Sequence, residues 1–167
     1  MPKRTLVIAA GLACTALAGA QEPARAAPGS PAGAAWRVAL SPHTEHYRRS
    51  EDHRHVWLAG LERESADGGL MGAGHFRNSF GQPTWYVYPW GGVYRNLLNV
   101  RPLFFKWSVG VIYGYRPPYE DKVPVNIGGF APVIMPAVGW NFGRGFSGQL
   151  NLVGTAAVMF QVSLDVK

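Results

Sequence analysis

The side chains able to do chemistry gather in three short stretches of this chain. The first is Ser41 to His55, holding His43, His46, His53 and His55 with Glu45, Glu51 and Asp52. The second is His75, Arg77, Asn78 and Ser79, and the third runs from Arg116 to Lys122 with Tyr119, Glu120 and Asp121. A histidine able to deprotonate a serine, with a further polar group to orient it, is the minimum equipment for acyl transfer. Blander readings stand beside this one. Four histidines among carboxylates and arginines also suit a solvated, charged loop. Asn78 and Ser79 are residue types that satisfy backbone groups at strand ends. Arg77 and Arg116 could pair with Glu62, Glu64 or Asp165 inside a narrow barrel. No paired His-Xxx-Xxx-Xxx-His spacing supports a metal site, and no cofactor or metal is expected.

What could hold these groups together is a set of strands with a strict face rule. In Leu103 to Arg116 the odd positions are Leu103, Phe105, Trp107, Val109, Val111, Tyr113 and Tyr115. The even positions, Phe104, Lys106, Ser108, Gly110, Ile112, Gly114 and Arg116, are mostly small, polar or charged. Successive side chains of a strand point to opposite faces, so this is one apolar wall backed by a mixed one. Val158, Phe160, Val162, Leu164 and Val166 repeat the rule against Met159, Gln161, Ser163 and Asp165. Such strands suit a barrel whose outside meets lipid.

Eight strands are predicted: 36–47, 55–65, 70–80, 84–94, 103–116, 130–142, 147–153 and 156–166. Asp67-Gly68-Gly69 and Gly143-Arg144-Gly145 are tight turns, and Asn96 to Arg101 is a short connection. Arg48 to Arg54 and Pro117 to Gly129 are longer and more polar, with Gly81-Gln82-Pro83 a short link at the same end. Antiparallel parity therefore brings all three polar stretches to one rim. The expected fold is all-β: an eight-stranded antiparallel up-and-down transmembrane β-barrel after a cleaved signal peptide.

The N-terminus fits that route. Lys3 and Arg4, the apolar run Leu6 to Leu17 and small residues to Ala20 resemble an export signal too short to span a bilayer. The expected organisation is a signal peptide over 1–26, a flexible Ala/Pro/Gly/Ser lead-in over 27–35 and a barrel over 36–167. Cys14, the single cysteine, lies in the signal, so the exported chain has no thiol. The formal net charge is +6. Export argues against nucleic acid as its target, whereas anionic phosphates of envelope lipids fit it.

A resemblance sharpens the functional reading. Phe76-Arg77-Asn78-Ser79-Phe80, followed by Trp85 and Gly91-Gly92, resembles the strand bearing the active-site Asp-Ser of the outer-membrane lipid A palmitoyltransferase family, Phe-Lys-Asp-Ser-Trp. The segment from Ala131 to Trp140, Ala-Pro-Val-Ile-Met-Pro-Ala-Val-Gly-Trp, is similar to the family's Leu-Pro-Val-Leu-Leu-Pro-Leu-Ala-Ser-Val-Gly-Tyr. Val109-Gly110-Val111 and Tyr113-Gly114-Tyr115 fall where that family has its glycine-rich central strand. The likeness runs from about Val56 to the C-terminus.

The resemblance implies an outer-membrane enzyme that moves a palmitoyl chain from a phospholipid to lipid A or another envelope lipid. Ser79 matches the family's serine, and Asn78 stands where the family has aspartate. His46, with His43 behind it, takes the place of the loop histidine that acts as base. Arg77 and Arg116 would meet substrate at the rim. Gly110, Ile112 and Met159 would floor an apolar well for the acyl chain, which would enter sideways at Pro132 and Pro136. The implied partners are the two lipids and the bacterial outer membrane, with the protein acting as a monomer. The competing expectations are a non-catalytic small barrel with a structural or lipid-binding role, and a soluble lipocalin-like barrel.

Overall fold

The computed structural model describes residues 33–48 and 53–166. The expected signal peptide with Cys14, most of the lead-in, Glu51 and Asp52 lie outside them. The described chain is eight antiparallel strands closed on themselves in sequence order. They are β1 (Ala35–His46), β2 (Leu58–Glu64), β3 (Leu70–Arg77), β4 (Pro83–Arg95), β5 (Leu103–Tyr113), β6 (Phe130–Gly143), β7 (Phe146–Val153) and β8 (Ala157–Val166). The up-and-down barrel expected from the face rule is therefore the fold. Three strands are shorter than expected by three residues or more: His55 to Trp57 precede β2, Asn78 to Phe80 leave β3 for a turn, and Gly114 to Arg116 leave β5 for a loop.

The connections at the first rim, near the N- and C-terminal strand ends, are short. The Ser65 and Gly69 backbones close the β2–β3 turn, in which Gly68 takes a φ of 87° that glycine alone adopts freely. The Asp67 carboxylate there accepts the Ser65 hydroxyl and, at 3.1 Å, the Gly69 N–H, which hold it below the usual carboxylate range. The opposite rim carries the long connections, 47–57 and 114–129, and the turn at 78–82.

Side chains alternate between outside and inside as the pleat requires. The outside carries the apolar set: Val38, Leu40, Val87, Val111, Ile134 and Leu150 are all more than a third exposed. Aromatic rows flank this band. At the second rim, His75 lies opposite Trp85, Trp85 opposite Tyr113, and Tyr113 opposite Phe130. Toward the first rim, Tyr94 pairs with Phe105 and Leu103 with Trp140, while Phe142 stacks on Phe146 at 5.5 Å.

The interior has two unlike walls. Strands β3 to β6 contribute Leu70, Tyr86, Tyr88, Val93, Phe104, Ile112 and Ala131, which pack as one apolar cluster. Strands β7, β8, β1 and β2 face them with Ser147, Gln149, Asn151, Gln161, Ser163, Arg37, Glu62 and Glu64. Buried charges between the walls are paired. Glu64 accepts from Arg37 at 2.8 Å and from Arg95 at 2.6 Å, and Asp165 accepts from Arg37 at 2.6 Å. Lys106 is hydrogen-bonded to Glu62, which also accepts the Tyr88 hydroxyl at 2.9 Å. The expectation that Arg77 and Arg116 supply this internal glue is corrected. Both are exposed at the rim, because the strands carrying them end at or before them, and Arg37, Arg95 and Lys106 fill the role instead.

Prolines sit where the ladder bends. The β1–β8 register slips by one residue between Leu40 and His43, around Pro42, and β4 slips against β5 between Val87 and Trp90, around Pro89. A bulge accommodates a residue that cannot donate to the ladder. The first of these slips decides the site.

Candidate active site at the long-loop rim

Up to Ser41 the odd residues of β1 face inward, with Ala39 and Ser41 buried. Without the bulge, His46 would point outward. One extra residue at Pro42 flips the parity, so that Thr44 lies opposite Met159 and His46 opposite Ala157, both inward-facing. His43 and Glu45 are turned out instead, where their side chains approach to 3.3 Å in solvent. Of the two histidines considered for the base, His46 is thus the one aimed at the barrel mouth.

The turn 78–82 is the hub of this rim. The Asn78 Oδ1 accepts the Phe80 and Gln82 backbone N–H groups, each at 3.0 Å, and Gly81 with φ 80° closes the turn onto the Asn78 carbonyl. Both flanking loops are tied to it. The Arg54 N–H donates to the Ser79 carbonyl at 2.8 Å. Gln82 and the Arg116 backbone exchange two hydrogen bonds, at 3.0 and 3.1 Å. Asn126 in turn folds the 114–129 loop, donating to the Tyr115 carbonyl at 2.7 Å and accepting the Gly129 N–H at 2.8 Å.

These ties gather most of the expected residues. Asn78 and Ser79 are buried, at 1% and 8% exposure. The second arm of the Asn78 amide, Nδ2, is buried with no hydrogen-bond partner. The Tyr115 hydroxyl lies beside Ser79, and burial pushes its pKa up to about 12. The His46 ring lies 4.4 Å from that of His53, His53 is edge-on to Phe80 at 5.7 Å, and Phe80 stacks on Tyr119 at 4.4 Å. His46 and Ser79 therefore share a mouth but are not hydrogen-bonded to one another; His53 and Phe80 stand between them. Tyr115 and Arg54 are neighbours of the site that sequence reasoning did not single out, and His53 was named only as one of the four loop histidines. Tyr-Gly-Tyr beside a strand end was the available signal for Tyr115.

Where an acyl well is expected, buried side chains of the apolar cluster pack against one another. Within the barrel a space of about 20 Å³ is bordered by Tyr86, Tyr88, Glu62, Asn151, Met135 and Met159 among others. That is room for one water molecule. Of the three expected floor residues only Met159 borders it. Ile112 is packed in the apolar cluster. Gly110 serves the β4 bulge: a Cβ there would stand 2.0 Å from the Val87 carbonyl oxygen.

The lateral seam has a clear physical basis. Pro132 and Pro136 face outward and lie in register with Val111 and Trp107 of β5. Residues two apart in an antiparallel ladder make the same kind of pair. Pro132, Ile134 and Pro136 must therefore form non-hydrogen-bonded pairs with β5, and the donors they lack would have pointed at β7. Pairing between β6 and β7 indeed stops at Ala137–Asn151, leaving Phe130 to Pro136 unpaired on that side.

No protein-family model matches the chain, and no curated protein matches it. Among solved structures, a de novo designed transmembrane β-barrel is similar to it, with a TM-score of 0.56 and 12% identity over 81% of this chain and 97% of the designed one. That likeness is one of fold alone.

Proposed function

We propose that this chain is a bacterial outer-membrane barrel that transfers an acyl chain from a phospholipid to lipid A. The membrane part of the reading rests on the outer surface. Phe105 and Tyr113 are eight residues apart on β5. At about 3.4 Å per residue and a tilt of roughly 40°, their aromatic rows stand some 20 Å apart, close to the ~25 Å apolar band of such barrels. Water cannot solvate an apolar belt of that extent cheaply, and lipid can.

The observation that carries the catalytic part is the long-loop rim. An inward-turned His46, a buried Ser79 and an unpartnered buried Asn78 amide meet there, beside a strand seam unpaired at the same end. In this scheme Ser79 Oγ attacks the phospholipid ester carbonyl and gives up its proton to His46, relayed past His53. The C–O bond to glycerol breaks, and the lysophospholipid oxygen takes that proton as it leaves. A lipid A hydroxyl then attacks the acyl-serine, with its proton passing back through the same histidine to Ser79. The free Asn78 N–H donates to the oxyanion in both steps, a role for which a carboxylate would be unsuited.

One observation favours a second reading. The interior is packed with an apolar cluster and crossed by charge pairs, which suits a non-catalytic barrel that stabilises the membrane. Mass spectrometry of lipid A from cells with and without the protein decides between them. Gain of one acyl chain, absent for Ser79→Ala at equal outer-membrane level, is the expected result. An unchanged spectrum with the protein properly inserted would leave the structural reading.

A further inference from the structure

Three arginines flank the 78–82 turn, Arg77 and Arg54 by their side chains and Arg116 by its backbone. The Arg77 guanidinium approaches the Gly81 carbonyl at 3.4 Å. The Arg54 Cδ lies 3.0 Å from where a Cβ on Gly81 would stand, so its side chain is laid across the same residue. Arg116 is fixed to the turn through Gln82. All three residues are exposed, and none has a carboxylate partner among the described residues. Of the acidic groups on the adjoining loop, Asp121 is paired with Lys122 at 3.2 Å, and Glu120 adjoins Tyr119, which stacks on Phe80.

Directly below this patch, on the same outward face of β3, His75 lies between two tryptophans. Its ring is 5.9 Å from Trp57 and 4.6 Å from Trp85. That trio belongs to the aromatic row marking the upper edge of the apolar band. Tryptophan settles at the headgroup level of a bilayer. Arg77, two residues further along, and its two neighbours therefore sit at the height of lipid phosphates. A guanidinium presents paired N–H donors that match phosphate oxygens.

We infer that Arg54, Arg77 and Arg116 form a docking site on the outer wall, at the β3–β4 hairpin, for the phosphate group of an anionic membrane lipid, with Trp57, His75 and Trp85 as its apolar floor. The site rests on the membrane placement argued above and deepens the acyl-transfer reading, since a lipid held there lies beside Asn78 and Ser79. It does not depend on catalysis. Like charges on three neighbouring segments of one rim repel each other, and an anionic headgroup relieves that repulsion where a zwitterionic one does so poorly.

The test is competitive lipid retention by the purified full-length exported protein, read by native mass spectrometry. The probes are lipid A, phosphatidylglycerol and phosphatidylcholine. Both anionic lipids are expected to be retained over phosphatidylcholine, with the preference shrinking as salt rises. Each Arg→Gln substitution should weaken the preference roughly fivefold, whereas Arg77→Lys should keep most of it. Heat-dependent gel mobility verifies that each variant is folded. Equal retention of all three lipids, or a preference untouched in the folded triple Arg→Gln variant, would overturn the site. Ser79→Ala is expected to retain anionic lipid like the parent. If acyl transfer is never observed and the arginine-dependent preference remains, the docking site stands and the enzymatic reading fails.

Discussion

The barrel interior and the long-loop rim treat buried polar groups differently. Inside, each buried charge among the described residues has an opposite charge within hydrogen-bond distance, Lys106 with Glu62 and Arg37 and Arg95 with Glu64, although Glu62 Oε2 and Arg95 Nε make no hydrogen bond of their own. At the rim, the Asn78 amide and the ring Nδ1 atoms of His53 and His75 are buried without partners. Closing pairs across a narrow lumen locks β1, β2, β4, β5 and β8 together and leaves nothing for a substrate. Leaving donors open costs stability, and such groups persist where a ligand completes them. On the proposed function, the contrast gives rigidity to the interior and chemistry to the rim.

The sharpest way to break that assignment is to unpair the interior. Lys106→Met leaves the Glu62 carboxylate buried without its countercharge, and removing one partner of such a pair costs about 3–5 kcal/mol. Denaturant unfolding in lipid vesicles should show that loss, and Glu62→Leu added to Lys106→Met should recover most of it. If Lys106→Met unfolds like the parent, the pair is solvated and the interior is less rigid than its geometry states.

The next effect is smaller and separates the two jobs of Asn78. Asn78→Ala removes both acceptor contacts that close the turn and should cost roughly 1–3 kcal/mol, together with any acyl transfer. Asn78→Asp keeps an oxygen for the Phe80 and Gln82 N–H groups but replaces the open donor by a second oxygen. Its stability should stay nearer the parent while transfer falls. Equal activity of the Asp form would show that the amide N–H gives no oxyanion stabilisation.

How much of this could be read from the residues follows the same divide. Period-two alternation in β5 and β8 sets an apolar outer face against a mixed inner one, so inside and outside are legible along whole strands. At strand ends the rule lapses. Continuing it past Arg77 placed Ser79 on the face of His75 and Arg77, whereas the chain turns there and buries Ser79. The bulge at Pro42 depends on the partner strand β8 as much as on proline, so alternation alone gives His46 the wrong face. His46 was reached through a family resemblance, and its inward aim comes from the register. Lys106 stood on the polar face in plain view, but its pairing with Glu62 crosses from β5 to β2, a contact no local pattern encodes.

His46→Ala should leave stability within about 0.5 kcal/mol of the parent, and Ser79→Ala, at a buried hydroxyl, within about 1.5 kcal/mol, since neither side chain holds the barrel closed. Their main effect should appear in acyl transfer, as a loss of roughly a hundredfold or more. Stability measured beside activity makes the comparison decisive: a variant that lowers both, with stability falling beyond these bounds, would move its residue from the chemistry of the rim to the framework.

The subtlest expected change lies at the seam. Continuing the β6–β7 register past Ala137–Asn151 sets Pro136 opposite Leu152. Pro136→Ala restores an N–H aimed at β7, so the strands can zip one step further, a gain of roughly 0.5–1.5 kcal/mol if the bond forms. Amide hydrogen exchange at Leu152 and Val153 should slow. If lipid enters through this seam, transfer should fall even though the protein has become more stable. Slower exchange with undiminished transfer would show that the acyl chain arrives over the rim, through the mouth guarded by His46 and His53, and would leave the prolines as bulge-tolerant edge residues with no part in access.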